Sequence, residues 1–159
     1  MGPRADLIAR RLQVEGDKMA AYLQSLPQDA WERQIYAGDD GSPWDLRQLL
    51  GHLLSAERSF HFLLGDILGG GEGAPPDLDV DDFNAQEMAR LGNESPADLL
   101  EDFQAARQAN LELAQTILDS DLDRQGRHPY LGWTNLEAFF KLIYRHDMLH
   151  MRDVKRKVG

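Results

Sequence analysis

Apolar residues recur at three- and four-residue steps along four long stretches of this chain, and no stretch shows a convincing step-two alternation of the kind a half-buried strand would carry. The first stretch runs from about Asp6 to Leu26, with Ile8, Leu12, Met19, Tyr22, Leu23 and Leu26 on one face and Pro27 as its stop. The second is announced by Ser42 as a cap, Pro43 at the first helical position and Asp45 three residues after the cap. Its stripe of Leu46, Leu49, Leu50, Leu53, Phe60, Leu64 and Ile67 ends at Gly69-Gly70-Gly71, where helix propensity collapses. The third opens with Ser95-Pro96-Ala97-Asp98 and continues through Leu99, Leu100, Phe103, Ala106, Leu113, Ala114, Ile117 and Leu118. The fourth starts at Thr134, with Glu137 placed to close a capping box, and runs to about Lys157. Four such helices predict an all-α four-helix bundle formed as one domain over residues 1–159.

The connections are long. Gln28 to Gly41 is polar, with room for a short strand or turn at Ile35 and Tyr36. Glu72 to Asp82 is acidic and bears prolines, and Phe83 to Leu91 reads as a short helix. A linker of about a dozen residues reaches ~35–40 Å when extended, more than one helix length, so parallel neighbours are allowed.

A formal net charge of −10 argues against a nucleic-acid partner, which would need clustered Lys and Arg. The one dense basic run, Lys155-Arg156-Lys157, sits where a helix C-terminus favours cations. No apolar run approaches the ~20 residues that span a bilayer, and the first residues carry no apolar segment of signal type, so a cytoplasmic protein without a membrane partner is expected. The chain has no cysteine. Any metal must therefore be held by nitrogen and oxygen, and any thiol chemistry needs an external thiol.

His146 and His150, in His146-Asp147-Met148-Leu149-His150, stand one helical turn apart and flank the stripe centred on Ile143. This spacing offers two imidazoles to one metal ion, although such pairs also arise by chance. A third ligand would come from another helix. His52 and His61 lie nine residues apart on the second stretch, on roughly opposite faces, so only one can look into a given cavity. Gly51 beside His52 would allow a neighbour to approach closely, which selects His52; a histidine bonded to a backbone carbonyl at the edge of the core is the other reading. His61 reads as solvent-facing or at the rim, and His128, preceding Pro129, as serving a turn.

Gly51-His52-Leu53-Leu54-Ser55-Ala56-Glu57, the Asp79 to Arg90 segment with Asn84, and the run from His128 to Val154 together resemble the DinB/YfiT-like metalloenzyme superfamily over nearly the whole chain. The resemblance implies an up-down-down-up bundle, with a divalent metal held near one end by His52, His146 and His150. It also implies a small-molecule substrate and a homodimer. Some members are similar to S-transferases or isomerases that use low-molecular-weight thiols such as mycothiol or bacillithiol, and others have no assigned reaction.

Three neutral imidazoles would leave the cation its full charge and an open position, able to acidify a water or deprotonate a thiol. Zinc, nickel and manganese all accept imidazole. Asp147 is the candidate catalytic residue, as a base or as a group orienting a ligand; an exposed carboxylate or a salt bridge is the alternative. Asp153, on the histidine face, could orient a ligand imidazole or be a solvated charge at the helix end. Glu57, about 140° from His52, is expected to meet a different neighbour. Trp44, Tyr130, Trp133, Phe139 and Phe140 could line a pocket mouth or belong to the core. Two functions follow: a metal-dependent transferase or hydrolase, such as a thiol S-transferase acting on a small electrophile, or a non-catalytic, stress- or damage-linked bundle whose metal is structural or absent.

Overall fold

A computed structural model describes residues 2–37 and 43–159. Among these residues the helices are α1 (Pro3–Gln24), α2 (Leu46–Leu68), α3 (Val80–Leu91), α4 (Pro96–Thr116) and α5 (Leu136–Val158). An antiparallel hairpin, β1 (Gln125–His128) and β2 (Gly132–Asn135), joins α4 to α5, with Gln125 opposite Asn135 and His128 opposite Gly132.

The four long helices bury their apolar stripes in two layers. One layer gathers the start of α1 (Ile8, Leu12), the end of α2 (Phe60, Leu64), the end of α4 (Leu111, Ala114) and the start of α5 (Phe139, Phe140). The other gathers the end of α1 (Met19, Leu23), the start of α2 (Leu46, Leu50), the start of α4 (Leu99, Phe103) and the end of α5 (Met151, Val154). Helices α2 and α4 therefore run together and antiparallel to α1 and α5. That is the up-down-down-up order, and it is possible because the α2–α4 connection is long enough to return the chain along the bundle. Helix α3 lies in that connection, against α2. A side chain at Gly51 would come within 3.3 Å of Met88 and 3.8 Å of Leu91, so the glycine beside His52 does admit a close neighbour.

Three local expectations shift. The cap of α2 is Asp45, whose carboxylate accepts from the Gln48 amide while the Gln48 side chain accepts from the Asp45 amide; Ser42 lies outside the described residues. Asn135, not Thr134, caps α5 by accepting from the Ala138 amide, because Thr134 is paired with Gly126 in the hairpin. The hairpin itself escapes periodicity, since two four-residue strands, Gln-Gly-Arg-His and Gly-Trp-Thr-Asn, carry no alternation. It is tied down by Gly73, whose positive φ of 90° suits glycine, and by Arg127, which donates its amide to Glu72 and accepts from Ala74. No helix among the described residues is long and apolar enough to cross a membrane.

Candidate metal centre

Helix α2 delivers His52 to the interface with α5, which delivers His146 and His150 from successive turns. The Nε2 atom of His146 lies 3.3 Å from Nε2 of His52 and 3.1 Å from Nε2 of His150. All three ligand nitrogens fall within 4.8 Å of one another. Around a cation with Zn–N bonds of ~2.0–2.1 Å, two tetrahedral ligands stand roughly 3.3–3.4 Å apart, so the histidines already outline one face of such a site.

Their protonation suits the task. Burial, helped by the neighbouring His150, lowers the His52 pKa to about 3. Burial and the other three nearby histidines lower that of His146 to about 3 as well. Burial also lowers His150, against the opposing pull of Asp153. At neutral pH the three rings are uncharged and offer lone pairs, the form a metal requires.

One tautomer is fixed by the surroundings. The Tyr36 hydroxyl lies 2.7 Å from Nδ1 of His150 and 2.8 Å from the Asp153 carboxylate. A carboxylate can only accept, so the hydroxyl donates to Asp153 and must itself accept from Nδ1–H of His150. The proton of His150 is thereby held on Nδ1, leaving Nε2 bare and aimed at the triad. Asp153 thus reaches His150 through Tyr36. Tyr36 has no sequence signal beyond a tyrosine in a turn-rich segment. It is placed by backbone pairing, because the amides of Ile35 and Tyr36 both donate to the Trp44 carbonyl. The same pairing sets Trp44 beside the site, its ring 4.6 Å from that of His52.

The triad opens into a cavity of about 460 Å³. Trp44, Leu131 and Leu142 form apolar walls; Asp81 and Asn84 from α3 and Tyr130 from the hairpin turn add polar edges. Of the other aromatic candidates, Phe139 and Phe140 are fully buried in the core, whereas Trp133 is exposed with Arg127 over its ring.

His61, exposed on α2, bonds Asn110 through Nδ1. His128 is buried beneath the hairpin, where Nδ1 accepts from the amides of Tyr130 and Leu131, so it does serve the turn. The basic run occupies the last turn of α5. Asp147 is buried and turned towards α4, where it pairs with Arg107, so the salt-bridge alternative is the arrangement found. It is absent from the residues lining the cavity. Burial and the adjacent Glu57 carboxylate raise its pKa well above the usual range, against the pull of Arg107. Glu57 meets Arg107 and Asn110, a different neighbour from His52.

No curated protein sequence matches the chain. Among solved structures, it is similar to YfiT from Bacillus subtilis, described as a probable metal-dependent hydrolase with an unusual four-helix bundle topology. The identity is 17%, with 98% of this chain and 87% of that one covered and a TM-score of 0.77. An uncharacterised protein from Escherichia coli UTI89 is 15% identical over 96% of this chain and 92% of its own, with a TM-score of 0.74. A mycothiol-dependent maleylpyruvate isomerase is 12% identical, with a TM-score of 0.75; 97% of this chain is covered but only 63% of the isomerase. At these identities the likeness is one of fold. The sequence profile of the DinB superfamily, however, matches residues 3–154, a span that takes in the whole bundle and all three histidines. By that match the chain belongs to the DinB superfamily.

Proposed function

We propose that this protein is a metal-dependent enzyme acting on a small electrophile, with a low-molecular-weight thiol as the attacking group. The observation that carries the reading is the opening of three neutral, converging imidazoles into a roomy cavity. A structural site is closed by a fourth protein ligand, whereas a catalytic one keeps a position for a small molecule. Here no fourth His, Cys, Asp or Glu joins the cluster among the described residues.

A divalent cation at this site, whether zinc, nickel or manganese, would supply the Lewis acidity that makes a weakly acidic nucleophile available at neutral pH. The chain's own residues do the rest. His52, His146 and His150 hold the ion, and Tyr36 with Asp153 keeps His150 in its ligating tautomer. Trp44, Leu131 and Leu142 exclude water from one side of the cavity, while Asp81 and Asn84 offer hydrogen bonds to a polar substrate. An external thiol is favoured because the chain has no cysteine of its own and because a similarly folded protein is mycothiol-dependent. Hydrolysis is the second reading, favoured by the likeness to YfiT. Asp147 acts through the scaffold rather than on the substrate, since its carboxylate is already engaged by Arg107.

The test is metal analysis of untagged protein, wild type against His150→Ala, followed by thermal shift with a panel of small thiols. One equivalent of metal in the wild type and its loss in the variant are expected. A thiol at about a hundred times its Kd would stabilise the loaded protein by ~2.7 kcal/mol. Full metal retention by the variant would remove His150 from the site. A loaded protein that ignores every thiol but hydrolyses small esters or amides would move the assignment to hydrolase.

A further inference from the structure

We propose that Arg107 is a positioning residue for the metal centre: it sets the distance between the two helices that carry the ligands. The inference rests on the metal reading above. Helix α4 supplies no ligand, yet its Arg107 is buried and reaches each of the other three long helices. Nε and Nη2 donate to Glu57 Oε1 of α2 at 2.9 and 2.5 Å. Nη2 also donates to Asp147 of α5, and Nη1 donates to the Leu12 carbonyl of α1 at 2.9 Å. Space for the guanidinium is kept by Gly16 of α1, where a Cβ would stand 2.9 Å from Nη1.

The attachment points are what tie this cluster to the metal site. Glu57 follows His52 on α2 by little more than a helical turn, and Asp147 lies between His146 and His150 on α5. A helix transmits position along a turn or two with little loss, so fixing Glu57 and Asp147 against one planar fork fixes the backbones that carry the three rings. Glu57 is itself held, because Asn110 Nδ2 donates to its Oε2 at 2.7 Å and to its backbone carbonyl at 3.2 Å. Well-packed apolar residues would hold the bundle at least as firmly as a buried ion cluster does. What the guanidinium adds is a fixed direction and separation, which apolar contact does not supply. Productive metal geometry tolerates displacements of only about 0.5 Å.

The experiment compares wild type, Arg107→Lys, and the triple variant Glu57→Leu, Arg107→Met, Asp147→Leu. Zinc affinity is read by chelator competition, the visible spectrum of the cobalt-loaded protein reports ligand geometry, and the metal-free Tm reports stability. Arg107→Lys keeps the charge and loses the fork. It should fold, bind zinc about 10- to 100-fold more weakly and show a shifted cobalt spectrum. The triple variant should match or exceed the metal-free Tm of the wild type and still bind weakly, which a merely stabilising role would not produce. Should the triple variant fail to fold, Arg107→Lys decides alone, measured well below its own Tm. Wild-type affinity and an unchanged cobalt spectrum in the folded variants would overturn the role of Arg107 and leave the metal centre standing. A wild type that takes up no zinc, cobalt, nickel or manganese would overturn both.

Discussion

His150 donates from Nδ1 to the hydroxyl of Tyr36 across 2.7 Å, and that hydroxyl donates in turn to the Asp153 carboxylate across 2.8 Å. Two residues far apart in the chain thus decide which nitrogen of a ligand imidazole is free. Replacing Tyr36 with Phe removes the acceptor and lets the ring choose its tautomer. Metal affinity should fall about 10- to 100-fold, the range typical for a group that orients a ligand. Stability should fall by about 1–3 kcal/mol, because two half-buried hydrogen bonds are lost. Competition titration alongside urea unfolding separates the two effects.

Burial lowers the pKa of all three ligand imidazoles, to about 3 for His52 and His146. A site of three ordinary imidazoles with pKa ~6.5 would lose roughly a thousandfold in metal affinity on going from neutral pH to pH 5.5. Here protons compete for His52 and His146 only near pH 3, and for His150 only below the ordinary histidine range. Affinity between pH 8 and 5.5 should therefore change by less than about tenfold. A steep loss starting at pH 6.5 would show that the rings are ordinary in the free protein.

Much of this arrangement is legible in the sequence. The stripe from Leu46 to Ile67 fixes which face of α2 is buried, and Gly51 breaks the tie between His52 and His61 in favour of the residue that joins the triad. Other parts are not legible, for definite reasons. Tyr36 reaches His150 from a non-helical segment, where no period predicts the direction of a side chain. The hairpin is too short to alternate, and the partner of Asp147 lies on a helix whose rotation a spacing argument does not set. Buried charge is the recurrent blind spot: Glu57, Arg107 and Asp147 look like surface residues until their helices are packed together.

Trp44 lies 4.6 Å from His52, ring to ring, whereas Trp31 is buried in the core and Trp133 is exposed on the hairpin. Loading with a paramagnetic ion such as cobalt or nickel should therefore quench the indole emission mainly through Trp44. Trp44→Phe should abolish most of that response while keeping one equivalent of bound metal. Equal quenching in the variant would place the bound ion away from His52.

His128 offers a test of the fold that does not involve metal. Its Nδ1 accepts from the amides of Tyr130 and Leu131, so the proton sits on Nε2, which is buried without a hydrogen-bond partner among the described residues. Burial lowers its pKa to about 4. Protonation would also break the two amide bonds that shape the turn. The unfolded chain takes up this proton below pH ~6.5 and the folded chain only near 4, so stability is whole above pH 6.5 and drains away as pH falls between those values. At pH 5 the loss from this one group is about 2 kcal/mol. His128→Asn keeps an acceptor for the turn and removes the titration, at the expense of ring packing against Phe60 and Phe139. Urea unfolding of the metal-free proteins should find the variant about 2 kcal/mol or more less stable at pH 7.5. That gap should shrink by about 2 kcal/mol at pH 5. A gap independent of pH would mean that the ring takes up its proton in the folded protein at the same pH as in the unfolded chain.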